Sequence, residues 1–328
     1  MRNSLIRPRR NRVNSSIRNL VAENRLTVDD LIAPLFLVED KNAKIAIDSM
    51  PGQFRFGLNS LLEQVGILNS LGVNGISLFP ALDDSKKDKM ATESHNPDHF
   101  YQIAIKEIKQ KYPDILIMTD VAMDPYSSDG HDGIVDSNSG EILNDETLEV
   151  LAKMAVTQAR SGSDIIGPSD MMDGRVGVIR EALDQEGFKN TLIMSYTAKY
   201  CSGFYGPFRD ALDSAPKAGD KKTYQMNPAN RKEALLEAKL DIAEGADILM
   251  VKPGLPYLDI IRDLAENTHL PIAAYNVSGE FAMIKAASER GWLDYETAMM
   301  EALLSFKRAG TDMILSYHAE DAAKILNS

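Results

Sequence analysis

The 328 residues contain one cysteine, Cys201, so neither an internal disulfide nor a cysteine-cluster metal site can form. Basic residues are in the minority, and the formal charge of -12 disfavours a nucleic-acid partner. No apolar run reaches membrane-spanning length and no apolar signal segment follows the first arginines. A membrane partner is therefore not expected, and the expected location is cytoplasmic. The dinucleotide fingerprint GxGxxG is missing after the first strand-like run, which weakens an open nucleotide-binding sheet. What remains is a chain of 44% apolar and 26% charged residues, enough to build the sizeable core of one large α/β domain.

The N-terminus differs from the rest. Arg2, Arg7, Arg9, Arg10, Arg12 and Arg18 fall within eighteen residues that hold no acidic side chain. On an acidic protein such a stretch suits an arm laid over a neighbouring subunit, and a solvated tail has the same composition. We take residues 1–25 as this arm and residues 26–328 as a single catalytic domain.

Eight β-rich apolar runs follow, separated mainly by helical periodicity: Leu31–Val38, a run ending near Pro80, Asp114–Asp124, Ser163–Asp170, Thr191–Lys199, ADILMVK, PIAAYNVS and TDMILSYHA. That count and alternation predict a closed (β/α)8 TIM barrel, with a doubly wound open sheet as the alternative. The joins repeat as well. RSGSDIIG, AEGADILMV and RAGTDMILS each run from a helix end through a glycine to an aspartate and a strand, and LGVNGISLF is a looser copy. Regular joins before strands and long inserts after them predict one structural and one functional face.

Two of the runs end in a lysine, Lys199 and Lys252. An ammonium at the edge of an apolar run loses solvation in its charged form, which lowers its pKa and suits attack on a carbonyl. A surface lysine closing a strand is the ordinary alternative. In a barrel, however, both lysines reach the same mouth from adjacent strands. Other strand ends supply Asp120, Ser169, Asp170, Tyr275, Ser278, Tyr317 and His318, as proton relays or carboxylate binders. Asp170 or Asp173 is equally suited to cap the next helix, and His318 reads as structural. The insert after the fifth strand brings Arg209, Lys221 and Lys222, cations able to clamp a small anion, beside GFYGPFR, whose turns and aromatics suit a lid. Asp120, Asp124, Asp129, His131 and Asp132 lie close together after the third strand. Their oxygens suit Mg²⁺, but the spacing matches no standard metal loop. Two amines beside acids point to imine chemistry. A single-imine aldolase or decarboxylase and a non-enzymatic barrel binding a small anion remain alternatives.

The strings SYTAKYCSGFYGPFRDA, GDKKTYQMNPANRKEAL, GADILMVKPGLPYLD, AAYNVSGEFAMI and SYHA resemble those of the porphobilinogen synthase family, also called δ-aminolevulinate dehydratases. The resemblance implies a TIM barrel that condenses two molecules of 5-aminolevulinate to porphobilinogen with loss of two waters, in tetrapyrrole biosynthesis. It implies Schiff bases on Lys252 for the A-site substrate and on Lys199 for the P-site substrate. Ser278 and Tyr317, with Tyr275 beside them, would bind the A-site carboxylate, and Arg209 and Lys221 the P-site carboxylate, with Ser169 nearby. Asp120 and Asp132 would orient the A-site amino group. Family members commonly carry arginine at the place of Lys221. Zinc-type members carry three cysteines where this chain has Ala122, Asp124 and Asp132, so the three-cysteine zinc is not expected. The chain resembles instead the magnesium-responsive branch, with an allosteric Mg²⁺ at Glu237 and a possible cation at Asp124 and Asp132. A homo-octamer built from dimers is the assembly the resemblance implies.

Overall fold

The structure is a computed structural model and describes residues 6–212, 214 and 216–328. Arg2 lies outside them. Eight parallel strands form the barrel: β1 (Leu31–Leu37), β2 (Gly75–Pro80), β3 (Leu116–Val121), β4 (Ile165–Pro168), β5 (Leu192–Lys199), β6 (Ile248–Lys252), β7 (Ile272–Asn276) and β8 (Met313–Ser316). Closure comes from β8 pairing with β1, where Leu31 faces Ile314 and Ile32 faces Leu315. The open-sheet alternative is thereby excluded. Each strand is buried over nearly its whole length because the lumen covers one face and helices cover the other. Ile32, Phe36, Phe79, Met118, Met194, Tyr196, Met250, Tyr275 and Tyr317 fill the lumen, while a second apolar cluster joins sheet to helices.

The repeated joins have one physical cause. Gly162, Gly245 and Gly310 end the helices Asn144–Ser161, Glu233–Glu244 and Tyr295–Ala309 at φ of 111°, 102° and 118°, a backbone region costly for any residue with a Cβ. Two residues later the aspartate carboxylate accepts the amide at the start of the preceding strand. Asp164 takes Ile117 N, Asp247 takes Ile193 N and Asp312 takes Ile272 N, each at 2.8 Å. In return each aspartate amide donates to the carbonyl of that same residue. These clips fasten neighbouring strands at the N-terminal face, leaving the other face to the inserts.

Two hairpins were invisible to strand periodicity. Lys44–Ala46 pairs antiparallel with Phe54–Phe56, which also runs parallel to the end of β1, and Ile134–Val135 pairs with Ile142–Leu143. Segments of two or three residues are too short to show alternation. Asp170 and Asp173 do not cap the helix Arg175–Gln185, whose N-cap is Gly174. Instead the Asp170 carboxylate accepts the Met172 amide at 2.7 Å, and the Asp173 amide donates to Asn144.

In the N-terminal segment, the turn Pro8–Arg12 and the helix Ser15–Leu20 bury no residue against the barrel. Val13 and Leu20 are 71% and 82% exposed. Among the described residues, no helix is long and apolar enough to cross a membrane.

Asp247→Ala should lower unfolding free energy by about 1–2 kcal/mol, the cost of leaving a partly buried amide without its charged acceptor. Urea unfolding monitored by far-UV circular dichroism checks this; an unchanged midpoint would show that the clip carries no stability.

Candidate active site

Lys199 and Lys252 stand side by side at the C-terminal ends of β5 and β6, their Cα atoms in register. This alignment depends on an irregularity. Ser195 pairs with Leu249 and Ala198 with Val251, so three steps along β5 match two along β6. Before the extra residue, Met194 and Tyr196 point into the lumen and Ile193 points to the helices; after it, Ala198 has turned outward. Lys199 consequently faces inward with Lys252. Without the bulge, alternation would send it to the helix layer.

Lys252 is 5% exposed, and its amine lies 4.7 Å from the Tyr275 ring centre, 5.0 Å from those of Tyr196 and Phe208, and 5.4 Å from that of Tyr205. Aromatic faces attract a cation, but this box also strips it of water. Burial, reinforced by the Lys199 charge and opposed by Asp120, Asp124 and Asp132, brings the Lys252 amine down to about 7. Asp120 shifts in the opposite sense. Burial pushes it up to about 6 against the pull of Lys252 and Lys199, with Asp124 adding to the rise and a hydrogen bond from Ser169 opposing it.

Lys199 donates to the Ser169 carbonyl and lies 3.7 Å from Asp132 Oδ2. Lys221 is also buried, with its Nζ 3.2 Å from Asp124 Oδ2 and 3.1 Å from Asp132 Oδ1. Burial acts against the charge of Asp132, but Lys199 and Lys221 outweigh it and hold this carboxyl well below the usual range. Burial raises Asp124, with Lys221 opposing and Asp132 adding to the rise. The site thus gathers three amines and three carboxyls, all of them buried. Because an ammonium already bridges Asp124 and Asp132, these two side chains as arranged do not fit a metal ion. Among the described residues, no group of three or more His, Cys, Asp or Glu could hold one.

Of the remaining strand-end residues, Tyr275, Tyr317 and Ser278 lie together at the ends of β7 and β8. The Tyr275 and Tyr317 hydroxyls are 3.0 Å apart, and Ser278 Oγ accepts the Phe208 amide at 3.0 Å. Arg209 and Phe208 belong to the short helix Gly206–Leu212, within the insert read as a lid. Tyr205 ties this insert down by donating to the carbonyls of Tyr200 and Lys252 at 2.8 and 3.1 Å. Arg55, from the first hairpin, donates to the Ala211 carbonyl at 2.6 Å and to that of Asp210, holding the helix's C-terminal end. His131 joins the two loops, with Nδ1 3.0 Å from the Tyr224 hydroxyl and Nε2 2.8 Å from the Ala218 carbonyl. Lys222 points away, 2.8 Å from exposed Asp220. His318 is buried beside Phe281, with Nδ1 3.0 Å from the Tyr295 hydroxyl.

Sequence reasoning overlooked Tyr196, Tyr205, Phe208 and Arg55. Alternation along SYTAK hid the first, because a strand without the bulge puts Tyr196 and Lys199 on opposite faces; the next two lie in GFYGPFR, whose aromatics were read only as a lid. Nothing in the sequence placed Arg55, whose partner is 156 positions away.

Glu237 is half-buried on the outer helix Glu233–Glu244. Burial pushes it up to about 7, with Arg175 opposing and Asp241, Asp173 and Glu233 adding to the rise. Arg175 Nη1 is 3.6 Å from Asp241 Oδ1, and Asp241 accepts the Ser195 hydroxyl at 2.6 Å. This acidic cluster therefore touches the strand that carries Lys199.

Known proteins share this architecture. The sequence profile of the family described as Delta-aminolevulinic acid dehydratase matches residues 5–325. The chain is 53% identical to delta-aminolevulinic acid dehydratase, chloroplastic, of Chlamydomonas reinhardtii, over 98% of this chain and 84% of that one. It is 56% identical to the protein of the same name in Pisum sativum, over 95% and 78%. The solved structure of delta-aminolevulinic acid dehydratase (porphobilinogen synthase) from Toxoplasma gondii ME49, in complex with the reaction product porphobilinogen, superposes with a TM-score of 0.97 at 52% identity, covering 98% of this chain and 92% of that one. The cytoplasmic expectation is overturned by the plant and algal relatives, whose names are chloroplastic and point to a plastid. Whole-chain identity, the barrel and the paired lysines at its mouth lead to one conclusion: the chain belongs to the delta-aminolevulinic acid dehydratase family, the porphobilinogen synthases, and is an enzyme that condenses two molecules of 5-aminolevulinate to porphobilinogen in tetrapyrrole biosynthesis.

Proposed function

We propose that the condensation runs through two imines, one on Lys252 and one on Lys199. The observation that carries this is the in-register pair of inward-facing amines, one of them brought down to about 7. Each amine adds to the keto carbon of one substrate and expels one water. The iminium on Lys252 draws electrons from the adjacent carbon, which loses a proton and attacks the iminium carbon held on Lys199. The amino group of the Lys199-bound substrate forms the C–N bond at the Lys252-bound carbon. Both lysines leave as free amines, and proton loss completes the pyrrole. Two waters are lost in all, and nothing is oxidised.

In this reading Asp120 accepts protons, since a carboxyl pushed up to about 6 is a competent base near neutrality. Asp120 and Asp132 orient the amino group of the A-site substrate. Ser278 and Tyr317, with Tyr275, hold its carboxylate. Arg209 and Lys221 serve the P-site carboxylate beside Ser169, with Lys221 exchanging its bonds to Asp124 and Asp132 for the substrate.

Glu237 is our candidate for the allosteric Mg²⁺. Mg²⁺ prefers oxygen ligands and retains waters, so the Glu237 carboxylate would hold it with water completing its shell, since no group of three or more such side chains gathers there among the described residues. Bound there, it would neutralise the cluster that touches β5. The exposed N-terminal segment, with no face buried on its own barrel, suits an arm over a neighbouring subunit, in keeping with an octamer built from dimers.

Reduction with borohydride in the presence of 5-aminolevulinate should leave adducts on both Lys199 and Lys252, read by peptide mass spectrometry. Lys252→Ala should lower pyrrole formation by at least about 10⁴-fold, as expected for loss of a covalent nucleophile; a residual rate within tenfold of wild type would refute the role. Trapping at Lys252 should rise as pH passes through about 7, because the neutral amine is the nucleophile. In Lys199→Met the neighbouring positive charge is gone, so that rise should move to higher pH. Glu237→Gln should abolish the gain in pyrrole output on adding Mg²⁺ after EDTA, and an undiminished gain would assign the ion elsewhere.

A further inference from the structure

We propose that Glu280 is a positioning residue that sets the spacing between the Lys252 amine and the groups that bind its substrate's carboxylate. The proposal rests on the imine reading of Lys252 and adds to it a residue that touches neither substrate nor amine.

Glu280 is the third residue of the helix Ser278–Glu289 and is fully buried. Its carboxylate receives four N–H groups, two on each oxygen. Oε1 accepts the amides of Gly254 at 3.0 Å and Leu255 at 3.1 Å. Oε2 accepts Asn276 Nδ2 at 2.7 Å and the Val277 amide at 3.2 Å. No ion pair joins it among the described residues. A glutamate at this position ordinarily reaches back only to the amide at its own helix start. Here the Val277 bond alone is of that kind.

The two amides on Oε1 lie two and three residues after Lys252. Those on Oε2 immediately precede Ser278. One carboxylate thus bridges the ends of β6 and β7, the two strands that deliver the amine and the hydroxyl. The bridge continues to β8, where Asn276 Oδ1 accepts the Ser316 hydroxyl at 2.8 Å and Ser316 Oγ accepts the His318 amide at 3.1 Å, next to Tyr317. There is no slack on the β6 side. A Cβ placed on Gly254 would run into Phe306 and lie 3.0 Å from the Tyr275 carbonyl. Burial pushes Glu280 up to about 8, with the hydrogen bonds from Asn276, Leu255, Gly254 and Val277 opposing the rise, so the group holds its place by these four directed bonds and not by a cation. Replacing one oxygen by an amide nitrogen would set N–H against N–H and loosen one of the two loops.

The test compares Glu280→Gln, Asn276→Ala and wild type, with fold checked by circular dichroism. Each is reduced with borohydride in 5-aminolevulinate, adducts at Lys252 and Lys199 are quantified by mass spectrometry, and kcat and KM are measured. Glu280→Gln should trap at least about tenfold less at Lys252 while Lys199 stays within about twofold of wild type, with a raised KM. Asn276→Ala, which removes one donor and the link to Ser316, should shift the same ratio about threefold. Equal trapping at both lysines in both variants would overturn the proposal, as would equal losses at both with the fold intact. If Glu280→Gln does not fold, the adduct ratio in Asn276→Ala decides. Wild type that traps at Lys199 and not at Lys252 would remove the imine reading itself and this proposal with it.

Discussion

One extra residue in β5 decides whether this barrel has one inward-facing lysine at its mouth or two. Up to Ser195, β5 alternates in step with β6, and at Ala198 it is one residue ahead. The slip exchanges inside for outside, so Lys199 enters the lumen opposite Lys252 when plain alternation would bury it among the helices. Two lysine amines from neighbouring strands are then buried side by side. Their repulsion and lost hydration hold Lys252 near neutrality, and they demand compensating carboxylates from the adjoining strand end and loop.

Those carboxylates divide the work. Asp132, flanked by Lys199 and Lys221, stays charged and balances the amines, while Asp120 sits where burial prevails and its proton affinity rises. Each faces two cations, and what separates them is direct contact: Lys199 and Lys221 lie 3.7 and 3.1 Å from Asp132 and make ion pairs with it, whereas Asp120 makes none among the described residues. Lys221 occupies the gap between Asp124 and Asp132, so this loop is internally neutralised by a residue from the insert after β5.

Stability and reactivity are assigned to opposite faces. At the N-terminal face, the aspartates of the repeated joins clip strand to strand with short local bonds. At the C-terminal face, backbone groups are held by distant side chains: Arg55 on the end of the lid helix, Tyr205 on the carbonyl of Lys252, and Glu280 across two strand ends. The first kind of contact repeats in sequence because it is local. The second kind does not, because each occurs once and joins segments remote in the chain.

That difference explains what could be read in advance. All eight barrel strands and most helices were legible, since burial on both faces writes continuous apolar runs and each helix writes a 3.6-residue period. The glycine–aspartate joins were legible as a repeat, and the lysines as charged ends of apolar runs. The two hairpins were not, being too short for a period. By itself the sequence determined the alternation of strand and helix and the reactive residue types at strand ends, because these depend on near neighbours in the chain. Only the tertiary structure decided that Lys199 faces inward, that Lys221 bridges two aspartates and that Arg55 holds the lid helix. These outcomes depend on strand register and on contacts between residues far apart in sequence, which no local pattern encodes.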